Sequence, residues 1–148
     1  MMDEQVRKRA VELLGRRAMS RQELVDKLVS KGEEREAAEE TADWLVEVGL
    51  LNDADYAGMV VRHYGAKGYG RLRIEQELRR RGIEKDLWDG AFTEMPEAFD
   101  ALDRFIASRF RGETPDRSEE KRVADALRRR GYSWDEISAG LRRYLDGL

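Results

Sequence analysis

The sequence predicts an all-α protein of three tandem three-helix repeats, and three observations lead there. One segment is written three times, as "SRQELVDKLVSKG" ending at Gly32, "GRLRIEQELRRRG" ending at Gly82 and "EEKRVADALRRRG" ending at Gly131. The closing glycines stand 50 and 49 residues apart, and the apolar pairs Leu24/Leu28, Ile74/Leu78 and Val123/Leu127 keep register with them. Each pair is spaced one helical turn, so each segment reads as a short helix stopped by a glycine. Second, 41% hydrophobic against 40% charged residues favours amphipathic helices with wide solvated faces over a thick core. Third, only Pro96 and Pro115 interrupt the 148 residues.

Each repeat can be followed in chain order. In residues 1–51, Val6, Ala10, Leu13 and Leu14 make the first helical stripe. Ser20, with Glu23 three residues on, forms a capping box for the second helix, and Ala38, Ala42 and Leu45 with Trp44 make the third stripe. In residues 52–95, Asn52 and Asp53 start a helix that carries Tyr56, Ala57, Val60, Val61 and Tyr64. The middle helix follows the "KGYG" turn, and Leu87, Trp88, Ala91 and Phe92 form the last stripe. In residues 96–148, Pro96 suits a first helical turn ahead of Phe99, Leu102, Phe105, Ile106 and Phe110. A polar turn, "RGETPDRS" (111–118), leads to the middle helix, and Ile137, Leu141, Tyr144 and Leu145 close the chain. At about 50 residues a repeat hardly offsets its own chain entropy, so neighbours are expected to pack into an elongated stack that can curve.

Composition narrows the function. With no cysteine, disulfides, thiolate metal sites and a cysteine nucleophile are excluded. His63 is the single histidine, so a transition-metal site would have to be built almost wholly from carboxylates; no metal and no cofactor are expected. The acidic run "EEREAAEE" (33–40) reads as a solvated helix face and not as a catalytic pair. "GAKGYG" (65–70) lacks the spacing of a Walker or dinucleotide motif and follows a helix instead of a strand. The expectation is therefore a protein with no catalytic residues and no small-molecule substrate, hence no enzyme. High charge raises partial disorder as an alternative, countered by three Trp, five Tyr and four Phe set in periodic patterns. The N-terminal residues lack a secretory apolar run, and no stretch approaches the roughly 20 apolar residues that span a bilayer, so a cytoplasmic protein without membrane contact is expected.

The net charge of −3 conceals segregation. Arg62 to Gly82 holds seven basic residues against two acids, a net of +5, whereas Glu33 to Asp55 holds nine acids against Arg35, a net of −8. The third middle helix repeats the positive pattern with Lys121, Arg122, Arg128, Arg129 and Arg130. Candidate contacts to a partner or to nucleic acid are Arg62, Lys67, Tyr69, Arg71, Arg73, Arg79, Arg80, Arg128 and Arg129. Two readings stay open. Basic middle helices could bind a polyanion, or the arginines could complement the helix dipole while pointing about 100° apart. At "KGYG", the helix start could offer amides to an anion with Tyr69 stacking on a base. Otherwise Gly68 closes one helix, Gly70 opens the next in place of Ser20, and Tyr69 tops the core.

These residues also resemble a known family. "LLNDADYAGMVVRHYGAKGYGRLRIEQELRRRGI" (50–83) closely resembles the central signature of the RecX family of bacterial recombinase regulators, and "SRQELVDKLVSKG" with "WLVEVGLLND" is similar to its first repeat. The resemblance covers nearly the whole chain and weakens in the third copy. It implies tandem three-helix repeats that bind the RecA recombinase as a filament on single-stranded DNA, lie in its groove or stop its growth, and lower ATP hydrolysis and strand exchange. Such proteins regulate recombination, DNA repair and the SOS response, and they contact single-stranded DNA weakly or through the filament. Matching family positions are Asn52, Asp53, Tyr56, Arg62, Lys67, Gly68, Gly70, Arg73, Glu77, Leu78 and Gly82. Of these, Arg62, Lys67 and Arg73 take partner contact, and Asn52, Asp53, Gly68 and Gly82 are caps. The alternatives are an independent helical DNA-binding protein using basic middle helices, and a structural adaptor unrelated to recombination.

Overall fold

In the computed structural model, which describes residues 4–95 and 98–148, every regular element among the described residues is a helix. The α-helices are α1 (Glu4–Arg16), α2 (Arg21–Ser30), α3 (Arg35–Glu47), α4 (Asp53–Ala66), α5 (Arg71–Arg80), α6 (Trp88–Phe92), α7 (Ala98–Phe110), α8 (Arg117–Arg129) and α9 (Trp134–Asp146). A 3-10 turn, Lys85–Leu87, leads into α6. The expectation that Pro96 begins a helix lies outside the described residues, as does the side chain of Phe99.

Local signals set most helix ends. Ser20 caps α2 by accepting from the Glu23 amide at 3.0 Å while Glu23 returns to the Ser20 amide at 3.1 Å. Ser133 and Glu136 repeat that box at α9, and Asp116 caps α8. The Asn52 side chain accepts from the Asp55 amide, as a cap of α4 does. Gly32, Gly82 and Gly131 all take positive φ, 101°, 74° and 99°, where the three middle helices stop.

Contacts gather into two compact units. The first comprises Met1–Met59 and Leu78–Ala91, the second Val60–Glu77 and Phe92–Leu148. In the first, α1, α2 and α3 pack around Val6, Ala10, Leu13, Leu24, Leu28, Ala38, Ala42 and Leu45. In the second, α7, α8 and α9 close over Leu102, Ile106, Phe110, Val123, Leu127, Tyr132 and Ile137. Gly140 brings α9 close to α7, because a Cβ there would collide with a Leu102 methyl. The predicted apolar pairs of all three middle helices are buried. Two expectations change. The third helix of the middle repeat is a 3-10 turn plus a five-residue helix, and Leu145, on the last turn of α9, is exposed.

Each unit contains one junction between middle-helix ends. In the first unit the Ser20 hydroxyl donates to the Arg81 carbonyl, the Arg21 amide donates to Asp53 at 2.8 Å, and a Cβ on Gly82 would lie 2.6 Å from that of Gln22. Asp53, in the first turn of α4, thus caps α2. In the second unit the end of α8 sits on the start of α5: a Cβ on Gly70 would come within 2.6 Å of the Gly131 carbonyl, and one on Gly131 would overlap the Arg73 backbone. Gly32 has the same left-handed geometry with nothing within 4 Å of a Cβ.

That contrast is testable by denaturant unfolding. Gly32→Ala carries only the left-handed penalty of about 1–2 kcal/mol. Gly131→Ala adds overpacking against Arg73 and should lose about 1–3 kcal/mol more. Equal losses would mean the junction is not tightly packed.

Candidate functional site

The "KGYG" turn joins α4 to α5 within the second unit. Gly68, with φ 90°, closes α4, and Gly70 occupies the position before α5 that Ser20 holds before α2, its carbonyl accepting from the Ile74 amide at 3.1 Å. Lacking a hydroxyl, Gly70 cannot cap. The helix start is satisfied instead by protein backbone: the Gly70 amide donates to the Arg130 carbonyl at 2.7 Å and the Leu72 amide to the Gly131 carbonyl at 3.1 Å. The Tyr132 hydroxyl completes the contact by donating to the Gly68 carbonyl at 2.8 Å. Of the two readings of this turn, these bonds favour the one in which Gly68 closes one helix and Gly70 opens the next. Two amides that would hold an oxyanion face carbonyl oxygens, and the close approach Gly70 permits is that of residues 131 and 132.

What the turn offers a partner is side chains. Arg62, Lys67, Arg71 and Arg73 are exposed. Lys67 Nζ lies 5.8 Å from the Tyr64 ring centre, and Arg73 Cζ lies 5.6 Å from that of Tyr69. Tyr69 is half-buried with its ring 5.8 Å from Tyr64, so one side of it already has a neighbour. Arg62 pairs with Glu94 at 3.1 Å and Arg71 with Glu75 at 2.8 Å, both across solvent-exposed geometry that contributes little stability. Arg71 also lies 4.2 Å from the Phe92 ring.

The remaining candidates divide between the units. Arg128 and Arg129 are exposed at the end of α8, and Arg128 lies 5.0 Å from the ring of Trp134. The junction thus brings the chain end carrying them to the "KGYG" turn. Arg79 and Arg80 belong to the first unit, where Arg79 lies 5.1 Å from the Trp88 ring. Their neighbour Arg81 turns inward and donates to the Tyr56 hydroxyl. Sequence reasoning missed Tyr132 and Trp134, and it named Arg130 in the basic pattern without counting it among the candidate contacts. Tyr132 follows Gly131 as Ile83 follows Gly82, so the register alone exposes it as an apolar position given a polar tip. Arg130 stacks 4.8 Å from the Phe105 ring, and Trp134 is 52% exposed, the one aromatic among the exposed large hydrophobic residues described. His63 is exposed. Among the described residues no group of three or more His, Cys, Asp or Glu could hold a metal ion, and no helix is long and apolar enough to cross a membrane.

Burial, reinforced by nearby Glu136, raises the Tyr132 pKa above the ordinary phenol value. The unfolded chain then loses this proton first, near pH 10. Stability contributed by Tyr132 is complete below that pH and is lost as pH rises through the folded pKa. Tyr132→Phe should lose about 1 kcal/mol at neutral pH with the hydrogen bond to Gly68, and should flatten the alkaline fall in thermal stability. An alkaline profile identical to wild type would contradict the assignment.

Known proteins match this arrangement. The first three-helix domain of RecX matches residues 7–45, and the second matches residues 52–91. Regulatory protein RecX of Vibrio campbellii is 35% identical over 134 residues, covering 89% of this chain and 86% of that protein. Regulatory protein RecX of Pseudomonas fluorescens is 36% identical over 138 residues, covering 90% and 87%. The crystal structure of RecX from Lactobacillus salivarius has the same fold, with a TM-score of 0.82 over 98% of this chain and 97% of that one at 23% identity. This chain belongs to the RecX family and is a regulatory protein, not an enzyme.

Proposed function

We propose that this protein binds the RecA recombinase as a filament on single-stranded DNA and inhibits filament growth, ATP hydrolysis and strand exchange, so modulating recombination, DNA repair and the SOS response. The observation that carries this reading is likeness to proteins named Regulatory protein RecX over 89% of the chain. Cytoplasmic location goes with it. Repeats at 1–51, 52–95 and 96–148 are the units that meet the filament.

Charge supports a protein-coated polyanion over naked DNA. The net charge of −3 gives no general attraction to nucleic acid, yet residues 33–55 carry −8 and residues 62–82 carry +5. Acidic helix surface can face basic protein while the arginines and Lys67 approach acidic surface or phosphate. Contact falls to Arg62, Lys67, Tyr69, Arg71 and Arg73, joined by Arg79, Arg80, Arg128 and Arg129. Because two α5 amides are already hydrogen-bonded, these long side chains must do the recognising, and exposed charges of that kind are screened by salt.

Adding the protein to RecA on single-stranded DNA should lower ATP hydrolysis, and an unchanged rate would overturn the proposal. Lys67→Glu combined with Arg73→Glu should weaken inhibition about 10-fold, as reversed charges at a rim reduce association, with helical content kept in circular dichroism. Undiminished inhibition by that folded variant would assign the turn to structure alone. Tight, sequence-specific binding to bare duplex would favour an independent DNA-binding protein.

A further inference from the structure

Three large apolar side chains face solvent at the end of α3: Val46, Val48 and Leu50 are 49%, 49% and 58% exposed. We infer that this end of the first unit docks a protein segment that carries lysine or arginine side chains around apolar ones. The inference gives the acidic helix surface its contact residues, and it does not rest on the recombinase reading.

The turn is firmly built. The Gly49 amide donates to the Val46 carbonyl at 3.1 Å and the Leu50 amide to the Leu45 carbonyl at 2.9 Å, with Gly49 at φ 79°, so a left-handed glycine closes the helix with paired bonds. Leu45 and Leu51 anchor it from both sides, buried in the core of the first unit. In such closures the residue at the position of Leu50 commonly packs back on the helix, yet here it stays more than half in solvent. Among the described residues nothing comes within 4 Å of a Cβ built on Gly49, so no other part of the described chain covers the turn there.

Charge says what fits it. The solvent face of α3 presents exposed Glu36, Glu39, Glu40, Asp43 and Glu47. Asp43 pairs with Arg21, whereas Glu39, Glu40 and Glu47 form no ion pair with a described residue. The end of a helix carries partial negative charge, which basic side chains normally answer. Every other described α-helix of ten or more residues has a basic residue in its last turn, His63 on α4 included; α3 has none and ends on Glu47. The missing cation is left for a partner to supply. Nucleic acid and anionic lipid are repelled by this face, and among the described residues no acidic group could hold a metal ion. Lysine and arginine, with long apolar stems and charged tips, match both halves of the surface.

The test is fluorescence anisotropy on the full chain at low salt, with a labelled amphipathic peptide of lysine and leucine. Val46→Ser with Leu50→Ser should weaken binding about 10-fold by removing apolar contact. Glu39→Gln with Glu47→Gln should weaken it about fivefold by removing two charges. Raising salt to about 0.5 M should erase the second difference and keep the first, since screening acts on charge; a general loss of fold would not split in this way. Glu119→Gln with Asp135→Asn, the same charge change on the second unit, should bind as wild type does. Labelled octalysine, with charge and no apolar side chains, should bind wild type about 10-fold more weakly than the mixed peptide. No binding by wild type, equal affinity across these proteins, or octalysine binding as tightly as the mixed peptide would overturn the inference. So would oligothymidine binding, or self-association in sedimentation, that Val46→Ser with Leu50→Ser abolishes, since either gives the turn another occupant. Neither RecA nor DNA enters the peptide measurement, so its failure leaves the ATP-hydrolysis test untouched, and an unchanged hydrolysis rate leaves the peptide result standing.

Discussion

The structure depends on one contact made twice: the end of a middle helix meets the start of another. A helix leaves donors unsatisfied at its start and acceptors at its end, and here each set partly answers the other. Carbonyls at Arg130 and Gly131 receive the Gly70 and Leu72 amides, while the Arg81 carbonyl receives the Ser20 hydroxyl. The contact also sets the positive end of one dipole against the negative end of the next. It requires a missing side chain, since a Cβ at Gly70 would lie 2.6 Å from Gly131. Short repeats that bury little alone gain hydrogen bonds and contact area together.

That contact decides what is left for a partner. Once the Gly70 and Leu72 amides are bound to carbonyls, the start of α5 has two fewer donors for an anion, and the side chains around it carry more of any recognition. Those side chains are held in loose order by aromatic rings: Arg73 with Tyr69, Lys67 with Tyr64, Arg71 with Phe92 and Arg128 with Trp134. Cations over rings keep their charge toward solvent while their stems pack. A surface of this kind suits an extended charged partner better than a small ligand needing a fixed geometry. Around Tyr56 the arrangement differs, because there a buried phenol is hydrogen-bonded to one guanidinium, Arg81, and one carboxylate, Glu23.

The repeats were legible because glycine register and apolar pairs are local signals, and the paired residues of all three middle helices are buried. Ser20 and Glu23 announced their capping box, and of the three consecutive arginines Arg79 lies by the Trp88 ring while Arg81 donates to Tyr56. What stayed hidden was tertiary. Gly70 carries no side chain to advertise that residues 131 and 132 come against it, so its amide looked available to an anion. Asp53 looked like half of a cap for its own helix, yet Asn52 caps α4 and the Asp53 side chain serves α2. Tyr56 counted as core by periodicity, yet its hydroxyl joins two charged groups that the sequence places 33 residues upstream and 25 downstream.

Native-state amide hydrogen exchange at Gly70 and Leu72 tests the central claim most directly. First-turn helix amides open to water exchange readily, whereas amides bonded within a packed junction exchange only when that junction opens. The account predicts that both amides are protected to the level of core amides such as that of Leu127. Exchange as fast as that of an open first turn would contradict it, and would return the start of α5 to the role of a free anion site.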